Sequence, residues 1–132
     1  MIGKPPKILV IDDKEPFRDF LREVLEERGY RVMTASGVEQ GLKTMARAAV
    51  DLVITDMMMP GMRGSELVAH VRNSGSKIKI LAMTGHPAGD AALAASEAYN
   101  VDAVMYKPFS AKEIVVVVQG LLLRNWDMIR AI

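Results

Sequence analysis

The stretch Asp51-Leu52-Val53-Ile54-Thr55-Asp56-Met57-Met58-Met59-Pro60-Gly61 decides the fold of this chain. Leu52, Val53 and Ile54 form a short apolar run, partly β-branched. A run that short, closed by a turn signal, reads as a buried strand. Asp56 stands where the strand runs out. Pro60-Gly61 forces a turn, and Gly64 gives a second loose point before the next helix. A carboxylate at the mouth of a buried strand is costly unless something uses it. The reading therefore turns on which polar residues converge on Asp56.

Upstream, Lys7 to Ile11 is a second buried strand, ending on Asp12-Asp13. Pro16 suits a first helical turn. Phe17, Phe20, Leu21, Val24 and Leu25 then recur as one apolar stripe, with Gly29 as the stop. Glu23, Glu26, Glu27 and Arg28 read as the solvated face of this helix. Tyr30 to Ala35 reads as a strand. Ser36 and Glu39 form a capping box for a helix from about Gly37, with Val38, Leu42 and Met45 inward. The strand at Asp51 to Thr55 is followed by a helix over about Ser65 to Arg72, which carries Leu67, Val68 and Val71 inward. Asn73-Ser74-Gly75 breaks it. Ile78 to Met83 is the fourth strand, ending on Thr84-Gly85. Pro87 opens an alanine-rich helical segment to about Ala98. Val101 to Met105 is the fifth strand, ending near Lys107-Pro108. Ser110 and Glu113 form another capping box. It outweighs the strand propensity of Ile114 to Val118, because Ile114, Val117, Val118 and Leu121 share one helical stripe.

Strand and helix thus alternate five times. That pattern implies an α/β fold with a parallel sheet and helices on both faces. Right-handed crossovers favour a five-stranded doubly wound sheet of order 2-1-3-4-5, with its ligand site outside the carboxyl ends of the strands. The 132 residues fit one domain, with a core over about 7–123 and an apolar extension at 124–132. The net charge of +1, from 17 basic and 16 acidic residues, speaks against a general nucleic-acid surface. The absence of cysteine excludes disulfides and thiolate metal sites. His70 and His86 are too few and too scattered for a zinc site. The longest apolar run, Ile114 to Val118, is too short to span a bilayer, and the N-terminus has no apolar signal region. A cytoplasmic, soluble protein is expected.

In a parallel sheet the residues after each strand meet at one edge. Asp12, Asp13, Asp56, Thr84 and Lys107 are therefore expected together. Three carboxylates alone would repel one another. A hard divalent cation resolves that, and Mg²⁺ favours a few carboxylates plus water and phosphate oxygens. Lys107 and Thr84 then suit an incoming phosphoryl group. Asp56 can serve as a carboxylate nucleophile that forms an acyl phosphate.

At this point the sequence resembles the receiver domain of two-component response regulators. The matching residues are Ile11-Asp12-Asp13, Asp56 with Met59-Pro60-Gly61 and Gly64, Thr84-Gly85, and Lys107-Pro108-Phe109. The resemblance runs from about Lys7 to about Leu123. It implies that Asp56 takes phosphate from a phosphohistidine on a sensor histidine kinase or phosphotransfer protein. It implies that Asp13, Asp56 and the backbone carbonyl of Met58 bind Mg²⁺, with Asp12 helping through water. It implies that Lys107 pairs with the phosphoryl group and that Thr84 hydrogen-bonds it. Met58 and His86, two positions past Asp56 and Thr84, would flank the path of the hydrolytic water, and slow hydrolysis is expected. Many receivers carry a switching aromatic three positions before the Lys. Here that position is Val104, and Tyr106 is the nearest aromatic. A homodimer would use the face built from the Pro87–Ala98 segment, the fifth strand and the last helix.

Each of these residues has a bland reading taken singly. Asp12 and Asp13 suit a helix N-terminus, Asp56 a turn, and the methionines around it flexible packing. Their joint placement carries the reading. A flavin module on the same fold would want a hydroxyl-rich phosphate loop where this chain has Asp12-Asp13-Lys14-Glu15. A phosphatase using an aspartyl phosphate would want a second Asp where Met58 stands. Turnover of external substrates is therefore not expected, only self-phosphorylation and slow autodephosphorylation. The alternative on the same fold is a phosphorylation-independent interaction module, against which the complete set of acids, Thr and Lys argues. Few residues follow the expected last helix, so no output domain is expected within this sequence; a stand-alone receiver and a piece of a longer protein are both expected readings.

Overall fold

The computed structural model describes residues 4–57, 64–85 and 101–130, and for 124–130 the backbone alone. Five strands are described, β1 (Lys7–Ile11), β2 (Arg31–Ala35), β3 (Leu52–Asp56), β4 (Lys79–Gly85) and β5 (Ala103–Lys107), with a helix following each of β1, β2, β3 and β5. The described helices are α1 (Glu15–Glu27), α2 (Val38–Arg47), α3 (Gly64–Asn73) and α4 (Ala111–Arg130). All strand pairs are parallel, and the order is β2-β1-β3-β4-β5. The expected fold and strand order are therefore those found. The helix expected over Pro87–Ala98 and the turn at Pro60-Gly61 lie outside the described residues.

Alternation along each strand feeds two cores. Ile8, Val10, Leu52, Ile54, Leu81, Met83 and Met105 pack under α1 and α4, against Leu21, Leu25, Ile114 and Val118. Leu9, Ile11, Val53, Ile80 and Ala82 face the other way, onto Val38 of α2 and Leu67, Val68 and Val71 of α3. β3 is buried along its whole length, which its near-continuous apolar run requires.

The ends of the elements show the local chemistry. α1 closes at Arg28, and Gly29 takes a φ of +93°, a left-handed turn that glycine adopts without penalty. The Ser110–Glu113 capping box forms as expected. The Ser110 amide donates to Glu113 Oε1 at 2.9 Å, and the Glu113 amide donates to Ser110 Oγ at 3.1 Å. That bonding holds the Glu113 carboxyl below its ordinary pKa. The Ser36–Glu39 box does not form. Gln40 replaces Glu39 as the acceptor, taking the Ser36 amide at 2.6 Å and the Ser36 hydroxyl at 3.0 Å. Gly37 stands at the N-cap of α2 in an extended conformation, so the bracing residue falls one position later.

β4 and β5 each end two residues later than their apolar runs, because ladder pairing continues through Thr84–Tyr106 and Gly85–Lys107. Gly64 is a correction of a different kind. A Cβ there would lie 2.5 Å from the Asp56 carbonyl oxygen and 2.9 Å from Met57 Cα. The glycine lets the first turn of α3 press against the backbone of Asp56; it is a close approach and not a loose point. Among the described residues no helix is long and apolar enough to cross a membrane.

Candidate functional site

Strand register builds the site. Ile11 pairs with Thr55, so Asp12 and Asp56 follow side by side at the carboxyl edge of the two central strands. β4 delivers Thr84 and β5 delivers Lys107 at the same edge. Asp12 is 0 % exposed, Asp56 6 % and Thr84 0 %. Asp13 is exposed. Two carboxylates at such depth need strong partners. Lys107 supplies one to both. Its Nζ lies 2.7 Å from Asp12 Oδ2 and 2.9 Å from Asp56 Oδ2. Burial pushes the Lys107 ammonium toward losing its proton. Hydrogen bonds to Asp12 and Asp56, with the charges behind them, outweigh that and raise its pKa above the ordinary lysine value.

Asp12 is fixed from every side. Its Oδ1 accepts the Lys14 amide at 2.8 Å, and its carbonyl accepts Arg18 Nη1 at 2.7 Å. Its own amide donates to the Ala35 carbonyl at 3.1 Å. Among the described residues the Thr84 hydroxyl reaches the Gly85 carbonyl at 3.5 Å, a contact long enough for the hydroxyl to turn to a better acceptor. The peptide bond between Lys107 and Pro108 is cis.

One carboxylate oxygen from each of Asp12, Asp13 and Asp56 lies within 4.8 Å of the others. These are hard oxygen donors, two buried and one open to solvent, a set able to hold a small divalent cation. Met58 and His86 lie outside the described residues. The other expected site residues, Asp12, Asp13, Asp56, Thr84 and Lys107, come together.

Two neighbours of the site escaped the sequence reading. Phe17 was absorbed into the apolar stripe of α1, but the Lys107 ammonium lies 4.2 Å from the centre of its ring. Arg18, beside it, anchors the acidic loop through the Asp12 carbonyl. The only sequence signal was their place in the first turn of the helix that follows Asp12-Asp13.

Comparison with known proteins agrees with this geometry. The family model of the response regulator receiver domain matches residues 8–119. Response regulator MprA of Mycolicibacterium vanbaalenii is 32 % identical over 121 residues, covering 92 % of this chain and 52 % of that protein. The alkaline phosphatase synthesis transcriptional regulatory protein PhoP of Bacillus subtilis is 34 % identical over 119 residues, 90 % of this chain and 49 % of its own. The chain thus spans about half the length of these relatives. Among solved structures, a putative response regulator from Chloroflexus aurantiacus superposes with a TM-score of 0.84 at 30 % identity, covering 92 % of this chain and all of that one. A receiver domain protein from Clostridium thermocellum gives 0.83 at 28 %, covering 93 % and 98 %. A buried acid pair bridged by a lysine at the carboxyl edge of this sheet, and a family match across most of the chain, make it a member of the response regulator receiver domain family.

Proposed function

We propose that this chain takes a phosphoryl group onto Asp56 from a phosphohistidine of a sensor histidine kinase or phosphotransfer protein, in a Mg²⁺-dependent reaction. The reading is carried by the Lys107 ammonium bridging Asp12 and Asp56 at one sheet edge, with Asp13 beside them and Thr84 near the same end of β4. An Asp56 carboxylate oxygen attacks phosphorus. The new P–O bond forms as the P–N bond to the donor histidine breaks. The electron pair stays on the imidazole nitrogen, which takes a proton from solvent. Asp12, Asp13 and Asp56 would hold Mg²⁺, which when bound supplies positive charge against the transferring group. Lys107 places a second positive charge there, and the Thr84 hydroxyl donates to a phosphoryl oxygen once it is attached.

The protein then acts as a switch in the cytoplasm, not as a turnover catalyst, and loses its phosphoryl group slowly. The exposed large apolar side chains among the described residues are Tyr106 on β5 and Val116 and Leu123 on α4. They support an output or homodimer face on that side. The near-neutral net charge supports a protein partner over direct nucleic-acid contact. The test is a small phosphodonor with and without Mg²⁺, read by intact mass. The wild type should gain one phosphoryl group only with Mg²⁺, and Asp56→Asn should gain none. Equal labelling of both would overturn the assignment of Asp56. No labelling of either would favour a phosphorylation-independent interaction module.

A further inference from the structure

Lysine is a poor choice for holding a charge in one place. Its ammonium rides on a flexible four-carbon stem. The Lys107 side chain is only 21 % exposed, and each of its two carboxylate partners meets it through one oxygen, at 2.7 and 2.9 Å. The ammonium also lies over the Phe17 ring, with Nζ 4.2 Å from its centroid. That is well inside the range in which a ring face attracts a cation. The ring is itself held in place. Phe109, two residues beyond Lys107, packs edge-on against it with centroids 5.6 Å apart at 73°, and Phe20 packs at 6.1 Å.

The backbone closes the arrangement. The Phe17 amide donates to the Lys14 carbonyl, and the Lys14 amide donates to Asp12 Oδ1. Phe17 is therefore tied to one oxygen of Asp12 through the helix start, and through Lys107 to the other. An aliphatic residue would fill the same space under α1 but would offer the ammonium no negative face.

We propose that Phe17 is a positioning residue for Lys107: its ring holds the ammonium in the gap between Asp12 and Asp56 and so raises the rate at which Asp56 accepts a phosphoryl group. The rate consequence rests on the phosphoacceptor reading; the contact itself does not. Phe17→Leu removes the ring and keeps most of the bulk. Phe17→Tyr keeps the ring. In Mg²⁺-free wild-type protein, NMR should find the Lys107 ε-methylene protons shifted upfield by the ring current. The shift should vanish in Phe17→Leu and persist in Phe17→Tyr.

With acetyl phosphate as donor and saturating Mg²⁺, Phe17→Leu should lower the maximum labelling rate about two- to fivefold, the range expected for a partly exposed cation–ring contact. The donor concentration for half-maximal rate should stay within about twofold, because the ring touches Lys107 and not the donor. Phe17→Tyr should label at close to the wild-type rate. An unshifted Lys107 methylene in the wild type overturns the proposal, and that measurement needs no variant to fold. So does a Phe17→Leu protein that labels at the wild-type rate, or a Phe17→Tyr protein as slow as Phe17→Leu. A wild type that takes no phosphoryl group counts against the phosphoacceptor reading alone, since the ring-current measurement uses no donor.

Discussion

Lys107 is the residue on which the metal-free site depends. Its ammonium offsets two buried carboxylates at 2.7 and 2.9 Å. Removing one partner of a buried ionic group leaves uncompensated charge, at a cost of roughly 3–5 kcal/mol. Lys107→Met should therefore lower the unfolding free energy in denaturant titrations by about that much without Mg²⁺. The loss should be much smaller in an Asp56→Asn background, where less charge is left behind. The pH dependence follows from the raised pKa of Lys107. The folded state holds this proton more tightly than the unfolded chain. Its contribution to stability is complete below the unfolded value, near pH 10.4, and is lost as pH rises through the higher folded value. Wild-type protein should thus lose stability at alkaline pH more steeply than Lys107→Met, while the two curves run parallel between about pH 7 and 9. The acids, Thr84 and Lys107 were legible in the sequence because each ends a strand, and parallel strands end together. Phe17 and Arg18 were not, because a helix stripe shows which face is apolar and not which charge lies over one of its rings.

At the scale of elements, core positions were more legible than ends. Leu21, Leu25, Ile114 and Val118 lie where helical spacing put them. The ends of β4 and β5 were misplaced by two residues, because hydrogen-bonded pairing carries polar residues past the apolar run. The α2 cap failed for a related reason: Glu39 and Gln40 can both reach back to Ser36, and backbone geometry selects Gln40. Gly64 and Gly41 make a useful contrast. A Cβ at Gly64 meets the backbone of Asp56 and Met57, whereas one at Gly41 meets the side-chain end of Ile11. Backbone cannot step aside as a side-chain terminus can. Gly64→Ala should cost about 1–3 kcal/mol by thermal or chemical unfolding and should slow labelling of Asp56. Gly41→Ala should cost less and leave labelling unchanged.

At the scale of the molecule, charge and surface respond together. On the proposed reading Mg²⁺ binds the folded site in preference to the unfolded chain, so adding it should raise stability by about 2.7 kcal/mol at a hundred times its Kd. Asp13→Ala should abolish most of that gain in a thermal-shift titration, more than any other change in the acidic loop. Phosphorylation should also alter the β5 face. Tyr106 is 43 % exposed and pairs across the ladder with Thr84, while Val104, on the same side of β5, is only half-buried. Tyr106→Ala should leave labelling intact and reduce the phosphorylation-dependent NMR shifts of β5 and α4; unchanged shifts would make Tyr106 ordinary packing. The Lys107–Asp12 bond joins residues 95 positions apart and spans every strand but one edge of the sheet. A chain emerging from the ribosome carries Asp12, Asp13 and Asp56 long before it has the lysine that balances them. Until β5 docks, the Asp12 and Asp56 carboxylates lack the ammonium that bridges them. On the proposed phosphoacceptor reading, competence to take a phosphoryl group therefore waits on completed folding, and unfinished copies should take up no label.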